Sequence, residues 1–107
     1  MPWVWLLLAS ALEVVWAVGL KSTAGFTRPG PTTLVIAAMA ASMWLLAIAA
    51  RDLPIGTAYA VWTGIGAVGT ATVGMIWLGE PTTTARLVCI VLIVAGVVGL
   101  KVFAGRA

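Results

Sequence analysis

Charge is what this chain has least of. Six basic and three acidic residues make up 8% of its 107 positions, whereas an ordinary globular domain carries about 25% charged residues. That scarcity excludes a soluble domain with a water-facing shell, and with 63% hydrophobic residues the composition places the chain among membrane proteins. Cysteine is nearly missing as well. Cys89 stands alone, so no internal disulfide can form; its neighbours Val88, Ile90 and Val91 predict a small buried hydrophobe, which says nothing about redox compartment. No cofactor, metal ion or nucleic acid is expected as a ligand.

The few charges mark boundaries. Glu13, Lys21, Arg28, Arg51, Asp52, Glu80, Arg86, Lys101 and Arg106 almost all sit at the edges of apolar runs. A helix needs roughly 20 apolar residues to cross a bilayer, and four runs approach that size. They predict spans near residues 3–20, 33–50, 54–78 and 84–104. The fourth reaches that length only if Arg86 and Lys101 extend their heads to the interface. The first run has no basic segment before it and carries an acid near its centre, so it reads as a permanent helix and not a cleaved signal. Gly25, Pro29, Gly30 and Pro31, then Pro54, then Gly79-Glu80-Pro81 supply the breaks between spans. The expected architecture is an all-α membrane domain over residues 1–107, with no room for a soluble unit.

A bias of basic residues toward one side is also missing. If the spans alternate, Arg51, Lys101 and Arg106 fall on one side and Lys21, Arg28 and Arg86 on the other. Basic residues normally fix the cytoplasmic side, so a balanced chain is expected to insert both ways and to pair as an antiparallel homodimer. Four helices enclose little space for a hydrated cavity, and pairing would supply it. Ala95, Gly96 and Gly99 in the last span offer the small-xxx-small spacing that lets helix backbones approach closely, although alanine and glycine are common in any membrane helix.

One acid lies inside a span. Glu13 falls about 3 Å from the midplane of the first run at roughly 1.5 Å per residue. A carboxylate there costs on the order of several kcal/mol, and such residues usually face a cavity on an ion or proton pathway. Burial penalises the charged form, so a proton is a ready occupant that a cation can displace. Two copies facing one cavity would titrate as a coupled pair. Ser10 and Trp16 share the helical face of Glu13, and in the third run Tyr59 and Trp62 share a face. Aromatic faces attract cations by roughly 0.5 to 2 kcal/mol each. Trp3, Trp5 and Trp77 lie near span ends and fit an interfacial belt, whereas Trp62 lies well inside. Ser42, midway along the second run, is either a site hydroxyl or one bonded back to the carbonyl of Ala38.

These residues resemble the small multidrug resistance family, and within it the guanidinium exporter subtype. The likeness covers essentially the whole chain. It is carried by Glu13-Val-Val-Trp16-Ala17, Gly19-Leu20-Lys21, Gly25-Phe26-Thr27-Arg28, the unbroken stretch LPIGTAYAVWTGIGAVG from Leu53 to Gly69, Gly79-Glu80 and Gly99-Leu100-Lys101. The resemblance implies a dual-topology antiparallel homodimer in the bacterial inner membrane that exchanges protons for guanidinium ion at a pair of glutamates. It assigns Glu13 to the shared proton and substrate site and Trp16, Tyr59 and Trp62 to the pocket. Ser42 would bond the glutamate or the substrate. It also implies a kink at Gly64-Ile65-Gly66 that lets the third helix bend differently in the two subunits. One position departs from the subtype: a glycine usual one turn before the glutamate is Ser10 here, whose hydroxyl can bond the carboxyl group or narrow the pocket. The alternative cargo is a hydrophobic quaternary ammonium ion, and a third reading is a rotor-type proton-carrying subunit.

Gly64, Gly66 and Gly69 in WTGIGAVGT also spell the G-x-G-x-x-G of dinucleotide-binding enzymes. That fingerprint must follow a strand and open a helix, and here it sits mid-run in an uncharged segment. A hinge and a close helix contact is the expected role.

Overall fold

The computed structural model describes residues 2–104, and the Arg106 counted above lies outside them. Every regular element among the described residues is helical: α1 (Pro2–Gly19), which runs on into a 3-10 turn (Leu20–Thr23), α2 (Pro29–Ala49), α3 (Ile55–Trp77) and α4 (Thr84–Ala104). All four are long and apolar enough to cross a membrane.

Local chemistry sets the ends. The 3-10 turn closes through Thr23, whose hydroxyl donates to the Leu20 carbonyl at 2.7 Å and accepts the Phe26 N–H at 3.2 Å. Ala24, Gly25 and Phe26 then all take positive φ, reversing the chain toward α2. That helix starts at Pro29, earlier than the expected residue 33, because a first helical turn leaves its N–H groups without intrahelical partners and tolerates proline. Thr83 caps α4 by accepting the Arg86 N–H at 3.2 Å. At the end of α3, Gly79 (φ 70°) turns the chain so that the N–H groups of Leu78 and Glu80 both reach the Gly74 carbonyl, each at 3.1 Å.

The helices pack in the order α2, α1, α3, α4, with α1 on both α2 and α3, a smaller contact between α2 and α3, and α4 on α3. The Cα envelope measures 45 × 35 × 16 Å, so a single chain is a slab that encloses no bundle interior. Its core gathers Leu6, Ala9, Leu46, Ala49, Ala58, Val61 and Trp62, where α1, α2 and α3 converge.

None of the α4 residues whose burial is described is buried. Cys89 is therefore exposed, contrary to the buried position expected for it; the apolar neighbours that suggested burial are themselves exposed or half-buried on the same helix. Lys101 extends back over the ring of Trp3 at 4.9 Å, which places the end of α4 beside the start of α1. Lys21, Arg28, Glu80 and Arg86 belong to the opposite end of the slab.

Candidate functional site

Glu13 lies on the side of α1 that meets α3. A Cβ built on Gly66 would fall on the Glu13 Oε1 and within 2.9 Å of its Cγ, so the carboxyl rests directly on bare α3 backbone. A Cβ on Gly69 would likewise meet the Val14 side chain. These two glycines set how closely α1 and α3 approach. Gly64 faces the other way, its Cβ position 2.6 Å from a Val97 methyl on α4. Thus the three glycines serve two interfaces of one unbroken helix, which passes through the expected kink position without leaving α-helical conformation. No strand precedes them among the described residues, and the dinucleotide reading fails on structure as it did on context.

The Glu13 Oε1 is buried and makes no hydrogen bond among the described residues; the same holds for the indole Nε1 of Trp16 one turn on. A buried polar group without a partner costs stability.

Beside the carboxyl runs a hydrogen-bonded chain across three helices. The Trp62 indole N–H donates to the Ser42 hydroxyl at 3.0 Å, and that hydroxyl donates to the Ala9 carbonyl at 2.6 Å. Ala9 is the carbonyl that α-helical geometry pairs with the Glu13 N–H, so the network fixes Trp62 and the Glu13 turn relative to each other. Ser42 therefore bonds neither the Ala38 carbonyl nor Glu13; its single proton is committed across the α1–α2 contact. Ser10, fully buried, donates to the Leu6 carbonyl at 2.8 Å and not to the glutamate. Tyr59 stacks on Trp62 with ring centroids 5.6 Å apart and planes tilted by 47°. Trp62 is 7% exposed and Tyr59 56%, so the pair presents one sheltered and one open aromatic ring. Ala9 and Leu6 were not singled out in the sequence, because no side-chain chemistry reveals a backbone acceptor.

The remaining groove near these glycines is of a different kind. A space of about 210 Å³ between α3 and α4 is lined by Gly64, Ile65, Val68, Gly69, Val94 and Val97 and offers a cation nothing. Ala95, Gly96 and Gly99 make no close contact within the chain: nothing lies within 4 Å of a Cβ built on either glycine, and Ala95 is exposed.

Fold and site together define a multi-pass membrane protein with one acid inside a span, whose buried oxygen has no hydrogen-bond partner among the described residues. Comparison with known proteins narrows the class. A family model described as Small Multidrug Resistance protein matches residues 1–93. A guanidinium exporter of Citrobacter freundii is 59% identical over 101 residues, covering 94% of this chain and 96% of the relative. One of Salmonella typhimurium strain LT2 is 58% identical over 104 residues, 97% of this chain and 99% of the relative. Another, of Yersinia pestis, is 55% identical over 101 residues, 94% and 97%. The chain belongs to the small multidrug resistance family and is a multi-pass protein of the bacterial inner membrane.

Proposed function

We propose that this chain is a proton-coupled antiporter, not an enzyme, that exports guanidinium ion and small substituted guanidinium compounds by alternating access. It works as an antiparallel, dual-topology homodimer in which protons and substrate compete for two Glu13 carboxyl groups. The observation that carries the reading is the Glu13 carboxyl itself: an acid inside a membrane helix, seated on Gly66, with a buried oxygen that nothing in the chain satisfies.

The chemistry follows from that group. Guanidinium is planar and its N–H groups can meet a carboxylate side-on in paired bonds; a proton on the same oxygens blocks them. The Trp62 and Tyr59 rings supply faces for the flat cation. The names of the relatives favour guanidinium as cargo. Pairing is supported by the slab shape and by α4, which packs on α3 yet has no buried residue among those described. In such a dimer a bend of α3 near Gly64-Ile65-Gly66, different in the two subunits and exchanged between them, would turn the site from one side to the other.

Proteoliposomes with an imposed pH gradient should move guanidinium, and Glu13→Gln should abolish coupled movement. Undiminished coupled transport by that variant would refute the mechanism. The open Tyr59–Trp62 pair also suits a hydrophobic quaternary ammonium ion, so competition between that ion and guanidinium on one preparation decides the cargo.

A further inference from the structure

Besides Glu13 Oε1 and Trp16 Nε1, two hydroxyls are buried with no hydrogen-bond partner among the described residues: Thr32, in the first turn of α2, and Thr70, on α3. Some helical hydroxyls bond back one turn: Thr33 to the Pro29 carbonyl, Thr72 to the Val68 carbonyl, each at 2.7 Å, and Ser10 to Leu6. Thr70 lies two residues before Thr72 in the same helix yet leaves the Gly66 carbonyl alone.

Its place in the fold gives the hydroxyl a use. Gly66 meets Glu13 and Gly69 meets Val14, so α1 and α3 run side by side in the same direction. Thr70 is one turn beyond Gly66, about 6 Å along the axis, and Trp16 is about one turn beyond Glu13. Tyr59, eleven residues earlier, points within about 20° of Thr70 and lies about 10 Å from Gly66 on the other side. One stripe of α3 therefore carries Tyr59, the glycine that seats the carboxyl, and Thr70, with the carboxyl between the phenol and the hydroxyl.

A cation held side-on by Glu13 has further N–H groups that point away from the carboxylate. Glu13 cannot accept them all, and the Trp16 indole is a donor only. Thr70 is the acceptor on the far side. We infer that Thr70 is a specificity-determining residue of the transport site: its hydroxyl accepts an N–H of a guanidinium-type cation held at Glu13 and has nothing to offer a quaternary ammonium ion. The inference rests on the function proposed above. Sites built to bond a ligand N–H discriminate strongly against analogues lacking it, because their polar group is then left unpaired.

The test is guanidinium uptake into proteoliposomes, with tetrapropylammonium as competitor, for wild type, Thr70→Val, Thr70→Ser and Thr72→Val. Loss of the hydroxyl in the near-isosteric Thr70→Val should raise the guanidinium KM about five- to tenfold. It should leave kcat within about twofold and tetrapropylammonium inhibition unchanged. Thr70→Ser should restore KM, and Thr72→Val should behave as wild type. If Thr70→Val does not elute as wild type does in detergent, Thr70→Ala takes its place. An unchanged guanidinium KM, an equal weakening of both cations, or failure of Thr70→Ser to restore KM would overturn the assignment. Where tetrapropylammonium does not inhibit wild type, the guanidinium KM decides. A wild-type protein that moves no guanidinium overturns the proposed function, and this inference with it.

Discussion

Replacing Gly66 by alanine separates the fold from the site. The new methyl would occupy the position of Glu13 Oε1 and stand 2.9 Å from Glu13 Cγ. The carboxyl cannot yield locally, because Gly69 against Val14 holds α1 on α3 one turn away. Two energetic terms oppose each other in the folded protein. Alanine is favoured over glycine in a helix interior by about 1 kcal/mol, and crowding a packed contact costs about 1 to 3 kcal/mol. The net change is at most about 2 kcal/mol, so the variant should fold and insert. The site fares worse. A charge-assisted hydrogen bond to a displaced carboxylate is lost, about 1.5 to 3 kcal/mol, which corresponds to a weakening of about ten- to 150-fold in guanidinium binding. Guanidinium-induced proton release from detergent-solubilised protein measures that affinity, and thermal melting of the same sample measures the fold. Gly56→Ala is the control, since nothing lies within 4 Å of its Cβ position. Wild-type affinity in Gly66→Ala would refute the claim that α3 backbone seats the carboxyl.

The Trp62–Ser42–Ala9 chain predicts non-additive stability losses. Ser42→Ala orphans a buried indole N–H and should cost about 1 to 3 kcal/mol. Trp62→Phe leaves Ser42 still bonded to Ala9, so the double variant should lose less than the two single losses added together; strict additivity in thermal melts would show that the bond between them contributes nothing. The bare face of α4 predicts a selective effect on assembly. Gly96→Leu should leave the single-chain fold intact, because nothing lies within 4 Å of that position, and should convert a detergent-solubilised dimer to monomer; a dimeric mass would place the contact elsewhere.

Much of this was legible from where charge is absent. Nine charged side chains partition the chain into four runs, and the helices follow them, apart from the earlier start that Pro29 permits. Glu13 was legible for the same reason, being the one acid out of place. Less accessible was which apolar residues face protein. Lipid and protein interior favour the same side chains, so Cys89 among valines looked buried and is exposed. The partners of Ser10 and Ser42 were also hidden, since periodicity gives the face of a hydroxyl but not which carbonyl on a neighbouring helix stands opposite. Gly66 and Gly69 stand at the contact with α1 and Gly64 at the contact with α4, a division that depends on the order in which the helices pack, which no local pattern encodes.

The two acids seated on α3 clarify why guanidinium is a chemically apt cargo. Glu80 rests on Gly74 much as Glu13 rests on Gly66, its Oε1 falling where a Cβ on Gly74 would be. Glu80, however, has a partner: Arg86 Nη2 lies 3.3 Å from that oxygen, both side chains about one-third exposed at the end of the slab. Water screens that pair, so it contributes about 1 kcal/mol at most. At Glu13 the same kind of glycine seat carries the same carboxylate, with neither arginine nor open water beside the buried oxygen. The head of an arginine without its stem is guanidinium ion, the cargo proposed above, and its donors match a carboxylate in the same way. In the proposed antiport, a carboxyl with no arginine fixed beside it is one that a cation can occupy and leave, and a proton competing for it would be released on filling. An arginine-like partner fixed within reach of Glu13 would close that exchange, and no basic side chain among the described residues bonds it.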